Sequence, residues 1–486
     1  MDFAALLLGP VLYYIRPQEW MLAIQPLKPV TLVMLMAVIG MLSRTGLDWK
    51  QYFKTPHDWL ILAFCAWIVV MSPDRGETFH EVYPLLLFYL VAVQALGTLK
   101  RLTIFLTVWT LMIFALAGLG VLSTYGFDPT GGEYPTSFFK GRLALGTSIF
   151  NNPNSLGHSV VPAVLMIYFT FVWKRPIFLK IGSIPLFFVP LYCIYLTVSK
   201  GAFISGFATA VAAMTFGRPR IVQAGILIFA LTSGWAAMQA LPRMNEINKS
   251  KADEAIQGRV AAFSFGLETL KRSIRGFGKD TFVQNMQRYQ GIRKASHSSY
   301  VQIGAEQGKG GFALFIGILY CCLRTLFTSK TRNEGEERVR RILFAIIISY
   351  MISSWMVDFA YRVAFFLCVG AIAAYHRLLL ASEKSPEEEK QEETDDQLGP
   401  VPSMTISGLG PVPVVAMPTV MNQSALMQPM QGIGVLASPE PEEVEESKLP
   451  KEPGIRWNRL NWLDLILIGA MFWATVKFWA YAVVRM

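Results

Sequence analysis

The chain has 486 residues, of which 53% are hydrophobic, 13% aromatic and 16% charged, and its formal net charge is +10. A soluble domain carries about 25% charged residues, so a single aqueous globular domain is excluded and a chain crossing a membrane many times is expected. The charge is also divided, since residues 382–453 hold 14 acidic and 4 basic side chains, net −10, and leave the remainder at +20. This asymmetry predicts a basic membrane body with an acidic linker, and nothing in it resembles a soluble nucleic-acid module.

In chain order, apolar runs predict helices at about 3–15, 30–43, 58–71, 83–96, 102–122, 156–173, 179–198, 201–217, 221–238, 312–327, 342–357, 363–381 and 463–484. The expected fold class is an all-α polytopic membrane protein. About 12 transmembrane helices occupy 1–381, a Pro/Gly/Met-rich cytoplasmic linker without periodicity occupies 382–462, and one apolar helix occupies 463–486. The stretch 3–15 lacks the basic flank and small-residue site of a cleavable signal peptide. No repeat of fixed period and no duplicated halves stand out. Cys65, Cys193, Cys321, Cys322 and Cys368 all fall inside apolar runs, so they are read as small packed hydrophobes rather than a disulfide framework or zinc site.

Basic residues set the orientation. The connections with Lys100–Arg101, Lys174/Arg175/Lys180, Arg218/Arg220 and Lys330/Arg332/Arg338/Arg340/Arg341 hold twelve cations against three acids and alternate along the chain. They are assigned to the cytoplasm, which turns the loops 123–153 and 239–298 outward. Residues 241–298 carry eleven Lys and Arg against five acids, against the orientation rule. Three explanations stand side by side: an anion site at the outer surface, a solvated or headgroup-facing loop, and an inverted topology. Within it, Val260, Phe263, Leu267 and Leu270 recur at helical spacing and Glu268–Arg272 is an i,i+4 pair, so Gly258–Arg272 predicts an amphipathic helix ending before Arg275-Gly276-Phe277-Gly278. Arg259 lies at its first turn, where a phosphate is favoured. The last helix, started by Arg456 and Arg459 and marked by Trp457, Trp462, Trp473 and Trp479, is either a further span or an accessory one.

No HExxH, P-loop, GxSxG or metal-spaced acid cluster is present. Polar groups concentrate instead at the outward ends of helices. Arg142 is followed by Asn151-Asn152-Pro153-Asn154-Ser155-Leu156-Gly157-His158, in which Asn154 can cap the sixth span, and His158 reads as structural. Ser199-Lys200-Gly201 makes a tight turn, where Lys200 is either a snorkelling anchor or a functional cation. Ser296-His297-Ser298-Ser299-Tyr300 leads to Glu306-Gln307-Gly308 and Gly310-Gly311. Asp358 stands one helical turn before Arg362, as its ion-pair partner or as a substrate contact.

In this order these segments resemble the O-antigen ligase and O-antigen polymerase family of bacterial envelope glycosyltransferases, which includes pilin O-oligosaccharyltransferases. The resemblance runs from about Arg142 to Gly311 and rests on Asn152-Pro153-Asn154, Ser199-Lys200-Gly201, Gly258-Arg259, Gly276-Phe277-Gly278 and the His297…Tyr300…Glu306…Gly308…Gly311 run. The opening Tyr13-Tyr14-Ile15-Arg16-Pro17-Gln18-Glu19-Trp20 resembles the exosortase-associated probable O-glycosylation ligases. Two positions depart from the family pattern. Lys200 replaces the usual Arg and cannot grip a phosphate bidentately, and Ser298 stands where Asn often follows the histidine.

The resemblance implies a glycosyltransferase-type bundle in the bacterial cytoplasmic membrane, multi-pass, with its active face in the periplasm. It implies a polyprenyl-diphosphate-linked glycan donor, a protein or lipid-glycan acceptor hydroxyl, contact with membrane lipids, inversion at the anomeric carbon, and no cofactor or metal. Arg259 is then expected to stabilise the departing diphosphate and His297 to take the acceptor proton, with Lys200, Arg142, Arg272 and Arg275 as further diphosphate contacts. Asn152, Asn154, Tyr300 and Glu306 are expected as polar substrate contacts. A polysaccharide polymerase using the same donor, and a non-enzymatic exporter or flippase of lipid-linked sugars, are the alternatives.

Overall fold

A computed structural model describes residues 1–21, 23–46, 48–127, 138–139, 141–240, 254–381, 455 and 457–485. Its helices are α1 (Asp2–Tyr14), α2 (Pro17–Trp20), α3 (Pro29–Thr45), α4 (Trp49–Tyr52), α5 (Pro56–Met71), α6 (Arg75–Ala95), α7 (Leu99–Ser123), α8 (Pro153–Val160), α9 (Ala163–Ile167), α10 (Ile177–Gly182), α11 (Ile184–Thr197), α12 (Lys200–Thr215), α13 (Arg220–Ala240), α14 (Glu254–Arg272), α15 (Phe282–Gln290), α16 (Ser299–Thr328), α17 (Glu334–Ser353), α18 (Val363–Ala381) and α19 (Trp462–Arg485). A two-residue pairing of Phe138–Phe139 with Arg142–Leu143 is the strand content among the described residues. Eight helical segments are long and apolar enough to cross a membrane, and Asp2–Tyr14, Pro56–Met71 and Arg220–Thr232 are shorter apolar ones. The protein is an all-α polytopic membrane protein.

Helix starts follow the local chemistry. Thr55 and Asp58 form a capping box at α5, and the side chains of Thr98, Ser199, Ser298 and Asn333 accept backbone N–H bonds at the starts of α7, α12, α16 and α17. Asp58 is fully buried, yet its carboxylate accepts from Thr55 N at 2.7 Å, Tyr89 Oη at 2.6 Å and Arg377 Nη2 at 3.0 Å. A carboxylate inside a bundle is tolerated only when its lone pairs are filled in this way. The pair Asp2–Arg44 and the Asp58–Arg377 cluster lie at the end of the bundle where α1 and α5 start and α3 and α18 finish. The polar segments of interest gather at the other end, where α1, α5 and α17 finish and α8, α12 and α16 start.

The amphipathic helix expected at Gly258–Arg272 is α14, with Phe263, Leu267 and Leu270 buried and Glu268 paired to Arg272 at 2.6 Å. The span expected at 312–327 begins earlier, at Ser299, and is interrupted at Gly308, whose φ of 60° and ψ of −163° are not helical. The chain at 273–278 fills that interruption. Phe277 N bonds to Ala305 O at 3.1 Å and Gly278 N to Glu306 O at 2.7 Å, while Lys309 N and Gly310 N each reach back at 3.1 Å to Ser273 O and Ile274 O. The loop thus satisfies the backbone groups that the break releases.

The last helix joins the bundle. Trp479 is fully buried in a notch between Gly266 of α14 and Gly304 of α16 and donates to Phe263 O at 3.0 Å. Asp464 accepts from Arg324 Nη1 at 2.7 Å and Tyr320 Oη at 2.8 Å. Residues 453–486 group with 1–382 as one compact unit, so Ile455 and Trp457, which the sequence reading assigned to the linker, pack with the core. The rest of that linker, 382–454, and residues 241–253 of the outer loop lie outside the described residues.

Candidate active site

A cleft of about 310 Å³ opens where the start of α8, the start of α15, the start of α16 and the connection 354–362 meet. His297, Asn152, Asn154, Gln302, Glu306, Asp358 and Arg362 line it. Two of the non-glycine residues on its wall, His297 (φ 49°) and Asp280 (φ 58°), have left-handed backbones, a strain that persists where the surroundings over-determine a conformation.

The surroundings of His297 do so. Ser298 caps α16 and its hydroxyl donates to Ser354 O at 3.0 Å. Ser299 donates through N to Ser354 O at 2.8 Å and through Oγ to Val357 O at 3.1 Å, and accepts from Phe359 N at 2.8 Å. The histidine is therefore stitched to the segment that carries Asp358. Because the next residue is a helix N-cap, Ser serves there as well as the Asn expected from the resemblance. Burial, and then the charges of Arg259 and Lys294, hold the His297 imidazole below its ordinary pKa, so it stands neutral at neutral pH with a lone pair to accept a proton. Lys294→Gln removes one of the depressing charges. The acidic limb of the kcat/KM–pH profile is then expected to move to higher pH, which a profile on wild type and variant checks.

Opposite His297 the start of α8 is organised differently from expectation. Asn152, not Asn154, is the cap, accepting from Asn154 N at 2.8 Å, because Pro153 takes the first helical position. This frees the Asn154 side chain, whose Oδ1 accepts from Arg142 Nη2 at 2.7 Å and Ser199 Oγ at 2.9 Å. Arg142 also donates through Nε to Thr197 O at 2.9 Å, so α8, α11 and α12 are locked together beside the cleft. Close approach requires small residues there: a Cβ on Gly157 would meet Thr197 Oγ1 at 2.9 Å, and one on Gly201 would meet His158 Nε2 at 2.9 Å. His158 bonds through Nδ1 to Ser353 Oγ at 3.0 Å, in keeping with a structural role.

Glu306, at the end of the first arm of α16, accepts from Phe282 N at 3.3 Å and Tyr361 Oη at 3.1 Å. Gln302 lies 3.4 Å from both its oxygens and, with its amide turned, donates instead to Asp358 Oδ1 at 2.8 Å. Burial pushes the Asp358 carboxyl up, against the Ala360 N–H and the Arg362 charge that hold it down. Asp358 and Arg362, which the sequence offered as a structural pair or as a contact, both face the cleft.

The remaining sequence candidates fall elsewhere. Tyr300 is buried, stacked on Trp355 at 4.4 Å and bonded to Met351 O at 3.2 Å, so it supports the 351–362 segment from behind. Lys200 occupies the first turn of α12, outside the cleft lining. Arg272 is 79% exposed and paired with Glu268. Arg275 lines a separate opening with residues 70–75. Arg259 lies outside the cleft lining and, because α14 begins at Glu254, it stands past the free N–H groups of the first turn where the sequence placed it; it acts on His297 by its charge.

The opening motif has a role that its sequence alone does not disclose. Glu19, held by Arg16 Nε at 2.6 Å, accepts from Ser148 N at 2.8 Å and Ser148 Oγ at 2.6 Å on the cleft rim. Although burial pushes the Glu19 carboxyl up, these bonds hold it below its ordinary range. Tyr14 stacks on Phe150 at 6.3 Å, so the motif buttresses the loop before α8.

Residues 185–316 match the family model described as O-Antigen ligase. Over these residues the chain is similar to the O-antigen ligase family. The matched segment runs from α11 into α16 and contains Lys200, Arg259, the 273–278 loop, His297 and Glu306, while Asn152, Asn154 and Asp358 come to the cleft from outside it. It supports a membrane function of the glycan ligase or polymerase type, with a lipid-linked glycan donor and an acceptor in general. No curated protein matches the chain.

Proposed function

We propose that the protein is a glycosyltransferase that moves a glycan from a polyprenyl-diphosphate lipid to an acceptor hydroxyl at the periplasmic face of the bacterial inner membrane. The observation that carries this reading is a neutral imidazole, His297, fixed on a strained backbone in a polar cleft with the cations Arg259 and Lys294 close enough to depress its pKa. His297 accepts the proton of the acceptor hydroxyl as the hydroxyl oxygen bonds to the anomeric carbon. The bond from that carbon to the diphosphate breaks on the opposite side, which inverts the configuration. The electron pair leaves on the diphosphate, and the Arg259 charge stabilises it there as it grows. The leaving group already carries the needed activation, so neither a nucleotide nor a metal enters any step. Asp358, Glu306 and Gln302 supply acceptors and donors for sugar hydroxyls along the same wall.

The periplasmic assignment is supported by the alternating basic connections, which belong to the end of the bundle away from the cleft. The test is transfer from purified polyprenyl-diphosphate glycan to candidate acceptors by the full chain in detergent, with EDTA present. Glycosylated acceptor under chelation is the expected result, and activity that vanishes with EDTA and returns with a divalent cation overturns the metal-free step. If the product is an elongated lipid-linked glycan rather than a modified acceptor, the enzyme is a polymerase of the same chemistry.

A further inference from the structure

Behind the cleft, α14, α15 and the 273–278 loop enclose a second groove of about 370 Å³. Its floor is aromatic. Phe265 and Phe277 are parallel within 5°, 5.9 Å between centroids, and Tyr289 stacks on Phe277 at 5.7 Å with 58% of its surface exposed. Its rim is polar and includes Glu268, Arg272 and Gln290. Glu268 is 51% and Arg272 79% exposed, and two charged side chains at the surface belong outside the hydrocarbon. Nothing in the proposed transfer step uses these residues.

We propose that this groove is a second carbohydrate subsite, which holds sugars of the donor glycan distal to the diphosphate. Rings stacked with an exposed face offer the negative π surface against which the C–H face of a pyranose packs. A carboxylate, a guanidinium and an amide around that face match the hydroxyls on the sugar's edge. A lipid chain would need no such polar rim. The groove lies one layer of rings away from the cleft, because Phe282 lines the cleft and its buried ring packs edge-on against Phe265 at 5.6 Å. A glycan whose first sugar lies at His297 then reaches the ring cluster at Tyr289 by crossing the outer surface of α15. Binding energy gathered there, remote from the reacting bond, serves transfer of long chains and not of short ones.

This inference rests on the transfer reading above, and its test separates the two. The full-length protein is assayed with polyprenyl-diphosphate donors carrying one repeat and many repeats, fractionated by length, as wild type, Tyr289→Ala and Tyr289→Phe. Tyr289→Ala is expected to lower kcat/KM for the long donor about tenfold and leave the one-repeat donor within about twofold. Tyr289→Phe, which keeps the ring, retains the wild-type preference. Equal losses on both donors, or no loss on either, overturn the subsite and assign the groove to packing or lipid contact. Saturation-transfer NMR with the released oligosaccharide gives an activity-independent reading. Transfer to the oligosaccharide in wild type that is lost in Tyr289→Ala supports the groove even if no donor is turned over, and its absence from wild type overturns it.

Discussion

His297→Ala is expected to slow glycan transfer by about 10²–10⁴-fold, the usual contribution of a positioned general base, with little change in the melting temperature of the purified protein. The side chain lies on the cleft wall and is only partly buried, so its loss opens no core cavity. The bonds that fix residues 298–299 to 354–359 are made by serines and backbone and remain in the variant. Arg259→Ala is expected to cost about 10²–10³-fold, the scale for removing one electrostatic stabiliser of a developing negative charge. Because the Arg259 charge depresses the His297 pKa, the residual activity of Arg259→Ala should also show its acidic limb at higher pH. Single-turnover rates with donor and acceptor measure both effects. Wild-type rates in either variant remove that residue from the chemistry.

Gly276→Ala is expected to produce the largest structural defect of any single methyl group near the site. Gly276 has a φ of +75°, and a Cβ there would lie 2.4 Å from both the carbonyl carbon and the oxygen of Glu306. The left-handed backbone alone costs an L side chain about 1–2 kcal/mol, and forcing a methyl against main chain adds about 1–3 kcal/mol. The backbone cannot yield without breaking the bonds from Phe277 and Gly278 to Ala305 and Glu306. Gly291→Ala is the control, since Gly291 has a φ of +71° and open space around its would-be Cβ. Thermal melts in detergent should show a much larger fall for Gly276→Ala than for Gly291→Ala, and transfer should fall with it, because the displaced Glu306 lies on the helix arm whose cap directly follows His297.

The helical bundle was legible in the sequence wherever a run of apolar residues met a simple period, as in α7, α11 and α18. It was illegible over 299–311, where Gln302, Glu306, Gln307 and Lys309 interrupt the hydropathy. Those residues are helical because another part of the chain, 273–278, closes the break at Gly308, and hydropathy carries no trace of such a partner. The glycines at 276, 278 and 308 were the available signal, and their positive φ angles account for it. The cap at α8 was misplaced by two residues because Asn152 and Asn154 are equally good cap types, and only the helical position of Pro153 distinguishes them. His297, Asn152, Asn154 and Glu306 come together on the cleft, whereas Lys200, Arg142 and Arg259 lie outside its lining and Arg272 and Arg275 line other openings. The ring cluster Phe265, Phe277, Tyr289 had no sequence signal, since its members come from three segments joined only by folding.

The docking of α19 changes what the acidic stretch is mechanically. His376, near the end of α18, bonds through Nε2 to Trp457 O at 2.8 Å, so the chain leaves the bundle and re-enters it at neighbouring points. Residues 383–452 are thus an insertion tethered at both ends, not a free tail. The His376–Trp457 bond therefore fixes where both flanks of the insertion stand, whatever its length.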